Sequence, residues 1–350
     1  MEEPIGPTTA IRKTKVRFPA ISAKSWEHPA DRAALTALRK VPGLDLLMQK
    51  LVGATTERSL RLMTLASAVR VTDTQFARVN KLYKEACGVL DVVERPELFV
   101  SQSPFLNAGA VGVDKPFIVL NSSLVDSVRE EELLSVIAHE LGHCMSGHVL
   151  YKTVLAILIR ISSMMGAFPL GGASIFAIIM ALREWDRKSE LSADRAGLLV
   201  VQDPEVCYSV LMKLAGGVHT DQMDINEFCI QAAEYEKSES VLDSIYKIIN
   251  LAGKTHPFPV LRLTELKSWV DSGEYGKILG GDYLNRDDDK SDSFRENMKA
   301  AAGKYKEDFQ TSQDPLVEML RNAPASASAA KDKAKDFFDS MFNSNTTNKG

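Results

Sequence analysis

The chain has 350 residues, 45% of them hydrophobic and 25% charged, with a net charge of -4 at pH 7. This length and balance are enough for a buried core in one large domain or two smaller ones. They disfavour a nucleic-acid-binding protein, because the chain has no long basic stripe. Its four cysteines are scattered, without C-x-x-C spacing, which is typical of a reducing compartment. The N-terminus lacks the apolar stretch of a secretory signal, so we expect a cytoplasmic location.

The N-terminal part of the chain predicts an arm, then helices, then a small sheet. Residues 1–27 have no apolar period and predict an irregular N-terminal arm. Helical spacing of apolar residues begins at residue 28, further apolar runs cover 44–52 and 60–71, and a longer helix follows between Asp73 and Gly88. The β-rich segments 98–100 and 117–120 predict a small, mostly antiparallel sheet over residues 97–121, with one candidate edge strand.

The next segment, residues 122–148, predicts a helix that carries an H-E-x-x-H motif made by His139, Glu140 and His143. Glutamates at 130–132 suit the positive end of the helix dipole in its first turn. Residues four apart lie on one face of a helix, so the two histidines can aim at one metal ion. Glu140 beside them can accept a proton from water at that metal.

Two apolar runs, residues 154–159 and 173–182, flank a segment that contains glycine and proline. A membrane-spanning helix needs about 20 apolar residues, and each run is roughly half as long. We therefore predict a hydrophobic helical hairpin over residues 149–182. It is either buried against the domain or a partner subunit, or it makes a peripheral contact with a membrane, and a true membrane span is the third alternative.

Helical patterns continue over residues 184–200, 205–215, 226–251 and 260–270. After about residue 280 the composition shifts toward aspartate, alanine and serine. That shift predicts a mobile, partly helical C-terminal tail over residues 280–350.

A catalytic zinc site needs a third protein ligand and an open position for water. The pattern H-E-x-x-H-x-x-G-x-x-H is not met, and His148 would lie about 140° around a continuous helix from His143, which predicts a structural or surface residue. Glu190 and Asp194, four apart on one helix face, offer an alternative. Glu190 can bind the metal, and Asp194 can accept the second ring N–H of a ligand histidine.

The H-E-x-x-H motif at 139–143, followed by Glu190, Ala193 and Asp194 in E-x-x-A-D spacing, resembles the M48 peptidases. These are zinc metallopeptidases of the gluzincin type. The resemblance implies a mainly α fold with a small β-sheet (α+β), an M48-like domain over residues 28–279 and one Zn²⁺ per chain. His139, His143 and Glu190 would bind the metal, with Glu140 as the catalytic base and Asp194 behind the ligands.

Two further elements of the resemblance concern the substrate. The family's later His-Pro followed by Arg is matched by His256, Pro257 and Arg262, which implies that His256 and Arg262 lie by the metal and steady the substrate carbonyl or the oxyanion. Asn107 and Ala108 are similar to an Asn-Ala segment on the family's edge strand, where a substrate peptide adds as an extra strand.

The sequence therefore predicts a zinc endopeptidase that hydrolyses protein substrates, with misfolded or unfolded chains as one class. One alternative is a non-catalytic, chaperone-like protein that keeps the zinc domain as a scaffold, although an intact Glu140 argues against it. Another is a latent enzyme whose tail or hairpin covers the cleft. The sequence leaves the substrate and the oligomeric state open.

Overall fold

The structure is a computed structural model, and it describes residues 14–39, 41, 43–44, 48, 51, 57–164, 172–237 and 258–287. Helices dominate this part of the chain. They are α1 (Pro29–Leu38), α2 (Glu57–Ser67), α3 (Ala77–Val89), α4 (Ser122–Ser127), α5 (Glu130–Met145), α6 (Val149–Met164), α7 (Gly172–Val201), α8 (Pro204–Gly216), α9 (Ile225–Lys237), α10 (Pro259–Asp271) and α11 (Glu274–Leu279).

A small sheet of four strands accompanies the helices. The strands are β1 (Ala68–Arg70), β2 (Glu97–Ser101), β3 (Ala108–Val111) and β4 (Phe117–Asn121), in the order β1-β2-β4-β3. β2 and β4 are parallel, whereas the β1–β2 and β3–β4 pairs are antiparallel. The predicted small sheet is confirmed, but it is mixed, because the two predicted β-rich segments pair in parallel. The apolar run at 60–71 is divided between α2 and β1, which extends the sheet beyond the predicted segment. Strand β3 is the last in the order.

Helix α5 lies in the main core, and its most extensive contact is with α7. Its N-terminus is held by Glu132, whose carboxylate accepts the backbone N–H of Arg129 at 2.7 Å. Close approach of the two helices depends on Gly142, because a Cβ at this position would lie 2.7 Å from the Cβ of Ala196. The absence of a side chain therefore lets α5 and α7 come near enough to share a site.

The described part of the N-terminal arm, residues 14–27, is largely irregular and packs into the main core. Its large apolar side chains Phe18, Ile21 and Trp26 are fully buried. The arm also pairs with the start of the predicted tail, through a bridge between Ile21 and Asn285. Residues 288–350 of the predicted tail lie outside the described residues.

The predicted hydrophobic hairpin corresponds to α6 and the first half of α7, and its turn lies outside the described residues. A second apolar cluster joins α1, α6 and α7, and it includes Leu38, Val154, Leu158, Leu182 and Trp185. One face of α6 is therefore packed within the chain. No helix in the described ranges has both the length and the apolar character that crossing a membrane requires. Membrane contact by the hairpin stays a prediction.

Candidate metal centre

Helices α5 and α7 bring the three predicted metal ligands together. His139 and His143 lie one turn apart on α5, and Glu190 lies on α7. The Nε2 atom of His139 is 3.4 Å from Glu190 Oε2, and that of His143 is 3.2 Å from Glu190 Oε1. The three ligand atoms lie within 4.8 Å of one another, and all three side chains are buried. This cluster could hold a metal ion.

The donor set fits zinc. The Nδ1 atom of His139 contacts Asp194 Oδ1 at 3.0 Å, and the Nδ1 atom of His143 contacts His148 Nδ1 at 3.0 Å. Since each ring uses Nδ1 for one of these contacts, the Nε2 atoms are the ones that face Glu190. Two imidazole nitrogens and one carboxylate are a common ligand set of catalytic zinc, which leaves the fourth position for water or substrate.

Asp194 and Arg262 form a buried ion pair behind the ligands. The guanidinium group of Arg262 donates to Asp194 Oδ2 from Nε at 2.8 Å and to Asp194 Oδ1 from NH2 at 2.6 Å. Its NH1 lies 3.0 Å from Glu190 Oε2. Burial alone would raise the pKa of Asp194, but Arg262 and the hydrogen bond to His139 lower it. Asp194 is therefore ionised and able to hold His139 Nδ1–H.

His139 and His143, the two predicted ligand histidines, have opposite pKa shifts. Burial by itself would lower the pKa of His139, but hydrogen bonds to Asp194 and Glu190 outweigh it and raise the pKa to about 9. Burial and the nearby charge of Lys152 lower the pKa of His143 well below its usual value.

Glu140 follows His139 on α5, and its side chain is buried. It lines a cavity together with His139 and with Asn107 and Ala108 from the start of β3. The apolar part of the lining includes Leu124, Val136, Val210, Leu211 and Leu214. The base predicted from the sequence thus lines a cavity that also has His139, Asp194 and Arg262 in its lining.

Comparison with known proteins identifies the family. The family model for peptidase family M48 matches residues 73–270, which is more than half of the chain. The chain belongs to peptidase family M48. Plastoglobule-localized metallopeptidase 48, chloroplastic, of Arabidopsis thaliana is 38% identical over 267 residues, covering 75% of this chain and 77% of that protein.

More distant M48 relatives include two archaeal proteins named protease HtpX homolog 2. The protein of Methanosarcina acetivorans is 21% identical and that of Methanosarcina mazei is 22% identical, each over 170 residues. These matches cover 42% of this chain and 58% of each relative. No solved structure matches the chain.

M48 membership confirms the resemblance found in the sequence, and the helical structure with its small sheet confirms the predicted α+β fold class. The protein is a metallopeptidase, with a metal cofactor and polypeptide substrates.

The residues that were predicted to contact the substrate differ in their surroundings. Asn107 and Ala108 line the cavity next to Glu140. Arg262 also lines it, but only 4% of its surface is exposed and its guanidinium group contacts Asp194 and Glu190. His256 lies outside the described residues.

Lys152 contacts Glu190, one of the predicted metal ligands, and no sequence pattern predicted this contact. Its ammonium group lies 2.6 Å from Glu190 Oε1 and 2.7 Å from Asp186 Oδ1. Lys152 stands on α6, where it interrupts an apolar run. A lysine inside an apolar run predicts a contact with a carboxylate, since a buried lysine needs an anionic partner. The sequence alone does not identify which carboxylate is the partner.

His148, predicted to be a structural or surface residue, is buried and contacts His143, one of the predicted metal ligands. Its side chain is 1% exposed, and its other ring nitrogen, Nε2, lies 3.0 Å from Oδ2 of Asp31 on α1. The predicted angle of about 140° from His143 assumed a continuous helix. Helix α5 instead ends at Met145, and Gly147 has a φ of 69°, so the chain turns back toward His143.

Proposed function

We propose that the protein is a zinc-dependent endopeptidase, with one Zn²⁺ per chain bound by His139, His143 and Glu190. The observation that carries this proposal is the buried cluster of these three side chains, together with Glu140, which lines a cavity with His139. Misfolded or unfolded proteins are the substrate class we propose, because a substrate polypeptide must reach Glu140 in an extended form.

Zinc bound by these ligands would polarise the peptide carbonyl and lower the pKa of a water molecule. Glu140 lies next to His139 and lines the same cavity, so it is placed to accept the proton from that water. It then delivers the proton to the nitrogen of the leaving amine. The carboxylate of Glu140 is thus used twice in one turnover.

Substrate binding is proposed to use the last strand of the sheet. Asn107 and Ala108 stand at the start of β3 and line the cavity with Glu140. A peptide that adds along β3 would gain main-chain hydrogen bonds irrespective of its sequence, which suits a peptidase that accepts many unfolded chains. The apolar cavity wall would receive one substrate side chain.

Two other residues are proposed to complete the reaction. His256, carried over from the M48 pattern, would donate a hydrogen bond to the oxyanion. Arg262 contacts Asp194 and Glu190 rather than open solvent. Its positive charge therefore fixes both carboxylates and adds to the electrostatic stabilisation of the oxyanion.

A peptidase assay on unfolded casein tests this function. The Glu140→Gln variant should retain one zinc ion and lose activity by roughly 100- to 10,000-fold, the usual contribution of a general base. Glu130→Gln is the matched control, because Glu130 lies on the same helix with a half-exposed side chain, and it should keep full activity. A chelator should abolish wild-type activity and added zinc should restore it. Full activity of Glu140→Gln would contradict the proposal.

The same assay addresses the two alternatives. A non-catalytic, chaperone-like scaffold would slow the aggregation of casein equally well in the wild type and in Glu140→Gln, with no cleavage in either. A latent enzyme would become faster when the chain is truncated near Gly280, and an unchanged rate would count against latency.

The location is proposed to be cytoplasmic, with a peripheral membrane contact through the hairpin at 149–182. The Arabidopsis relative is named as plastoglobule-localized, which supports a lipid-associated site for this chain as well. Flotation with phospholipid vesicles tests the contact: the protein should rise with the vesicles, and recovery only in the soluble fraction would contradict it.

A further inference from the structure

A buried chain of hydrogen bonds leads from the N-terminal helix α1 to one of the proposed metal ligands. Asp31 Oδ2 lies 3.0 Å from His148 Nε2, and His148 Nδ1 lies 3.0 Å from His143 Nδ1. Each of the three side chains is at most 1% exposed. Water therefore does not compete for these contacts, and each ring nitrogen in the chain has a defined partner.

The donors and acceptors in this chain can be arranged in one consistent direction. A histidine that binds a metal through Nε2 carries its proton on Nδ1, so Nδ1–H of His143 donates to Nδ1 of His148. The proton of His148 is then on Nε2, where it donates to the carboxylate of Asp31. One arrangement of protons thus satisfies all three groups and leaves the Nε2 lone pair of His143 directed at Glu190.

Asp31 is itself fixed by helix α7, which also carries Glu190. The indole Nε1–H of Trp185 donates to Asp31 Oδ1 at 3.1 Å, and the hydroxyl of Ser192 donates to Oδ2. The hydroxyl of Ser192 in turn accepts the backbone N–H of His28, immediately before α1, at 2.9 Å. The carboxylate is therefore locked in place by the same helix that supplies the third ligand.

We propose that Asp31 and His148 are positioning residues that hold His143 in the tautomer required for metal binding. Asp31 acts on His143 through His148, as Asp194 acts directly on His139, so each ligand histidine has its own buried carboxylate. The inference rests on the proposed metal site at His143. It adds a requirement for α1, which lies outside the matched range 73–270 of the family model.

A merely structural role for the network makes a different prediction. Asp31→Asn preserves size and the acceptor for Trp185, but its amide would donate toward Nε2 of His148. His148 would then carry its proton on Nδ1 and force His143 into the wrong tautomer, as happens when the aspartate of a serine-protease triad becomes asparagine. If the network is only structural, Asp31→Asn should lower the stability of the protein without changing the metal affinity of the folded state. If the network positions His143, the folded variant should also bind metal more weakly.

Zinc affinity of the folded protein, measured by competition with a chromophoric chelator, tests the inference. Asp31→Asn and His148→Leu should bind zinc 10- to 100-fold more weakly than wild type, the usual effect of losing such a partner. His148→Gln should recover most of the affinity, since its amide offers both an acceptor and a donor. Glu265→Gln is the matched control: Glu265 lies 3.6 Å from His28 and is half-exposed, and its loss should not change the affinity.

The wild-type protein provides a test that does not depend on how the variants fold. In the zinc-loaded protein labelled with ¹⁵N-histidine, NMR should show His143 protonated at Nδ1 and His148 protonated at Nε2 only. A proton on Nδ1 of His148, or wild-type zinc affinity in Asp31→Asn and His148→Leu, would overturn the inference while leaving the proposed function intact. Failure of the wild type to bind zinc would overturn both.

Discussion

Removing the carboxylate of Asp194 should damage both folding and metal binding, for separable reasons. Asp194 accepts two hydrogen bonds from Arg262, at 2.8 and 2.6 Å, and contacts His139 Nδ1 at 3.0 Å. Asp194→Ala leaves the guanidinium group buried with Glu190 as its remaining anionic contact. Breaking a buried ion pair in this way costs about 3–5 kcal/mol. For a domain of this size the melting temperature should fall by roughly 6–20 °C.

A double-mutant cycle with Arg262→Met separates the two effects. Replacing both members of a buried pair by apolar groups is often neutral, so the double variant should be more stable than either single variant in the metal-free state. Its zinc affinity should stay 10- to 100-fold below wild type, because His139 has lost its acceptor. Thermal unfolding in a chelator and zinc competition at low temperature measure the two quantities. Additive stability losses, or wild-type zinc affinity in Asp194→Ala, would refute the reasoning.

Two further predictions concern the placement of α5. Gly142→Ala should push α5 away from α7, which should lower the free energy of unfolding by about 1–3 kcal/mol through overpacking and weaken zinc binding. Adding Ala196→Gly should restore part of both. Gly88→Ala is the control, because a Cβ there meets nothing within 4 Å, and equal losses of stability at the two glycines would contradict the packing argument. Burial would raise the pKa of Glu132, but Arg129 and Lys213 outweigh it and lower the pKa from 4.5 to about 2. The ionised carboxylate of Glu132 therefore contributes about 3 kcal/mol to the free energy of unfolding above pH 4.5, and this contribution is lost as the pH falls toward 2. Glu132→Gln should flatten this part of the pH profile of unfolding free energy. A profile identical to that of the wild type would contradict the prediction.

The part of the site that the sequence predicted is the part encoded by local spacing. His139 and His143 share a face because they are four apart on a helix, and Glu190 and Asp194 have the same spacing on α7. The two central strands of the small sheet were also predicted from short β-rich segments, whereas the position of β3 at the edge was implied by the resemblance at Asn107 and Ala108. In each case the known geometry of a helix or strand determines where residues at a given spacing lie.

The remaining residues of the site depend on contacts between elements far apart in sequence. Lys152 on α6 contacts Glu190 directly, and Asp31 on α1 contacts His148, which in turn contacts His143. No periodicity in the chain links Asp31 or Lys152 to the predicted ligands. The position of His148 depended on a helix end, where Gly147 adopts a positive φ and reverses the chain. A helical extrapolation fails at such a point because the spacing argument holds only while the helix continues.

The zinc content of purified protein tests most directly whether α5 and α7 together form a single zinc site. Elemental analysis should find one zinc per chain in the wild type and in Glu140→Gln. It should find little or none in Glu190→Ala, which lacks the third ligand although both histidines remain. Zinc retained at one per chain in Glu190→Ala, or absent from the wild type after zinc loading, would contradict the account.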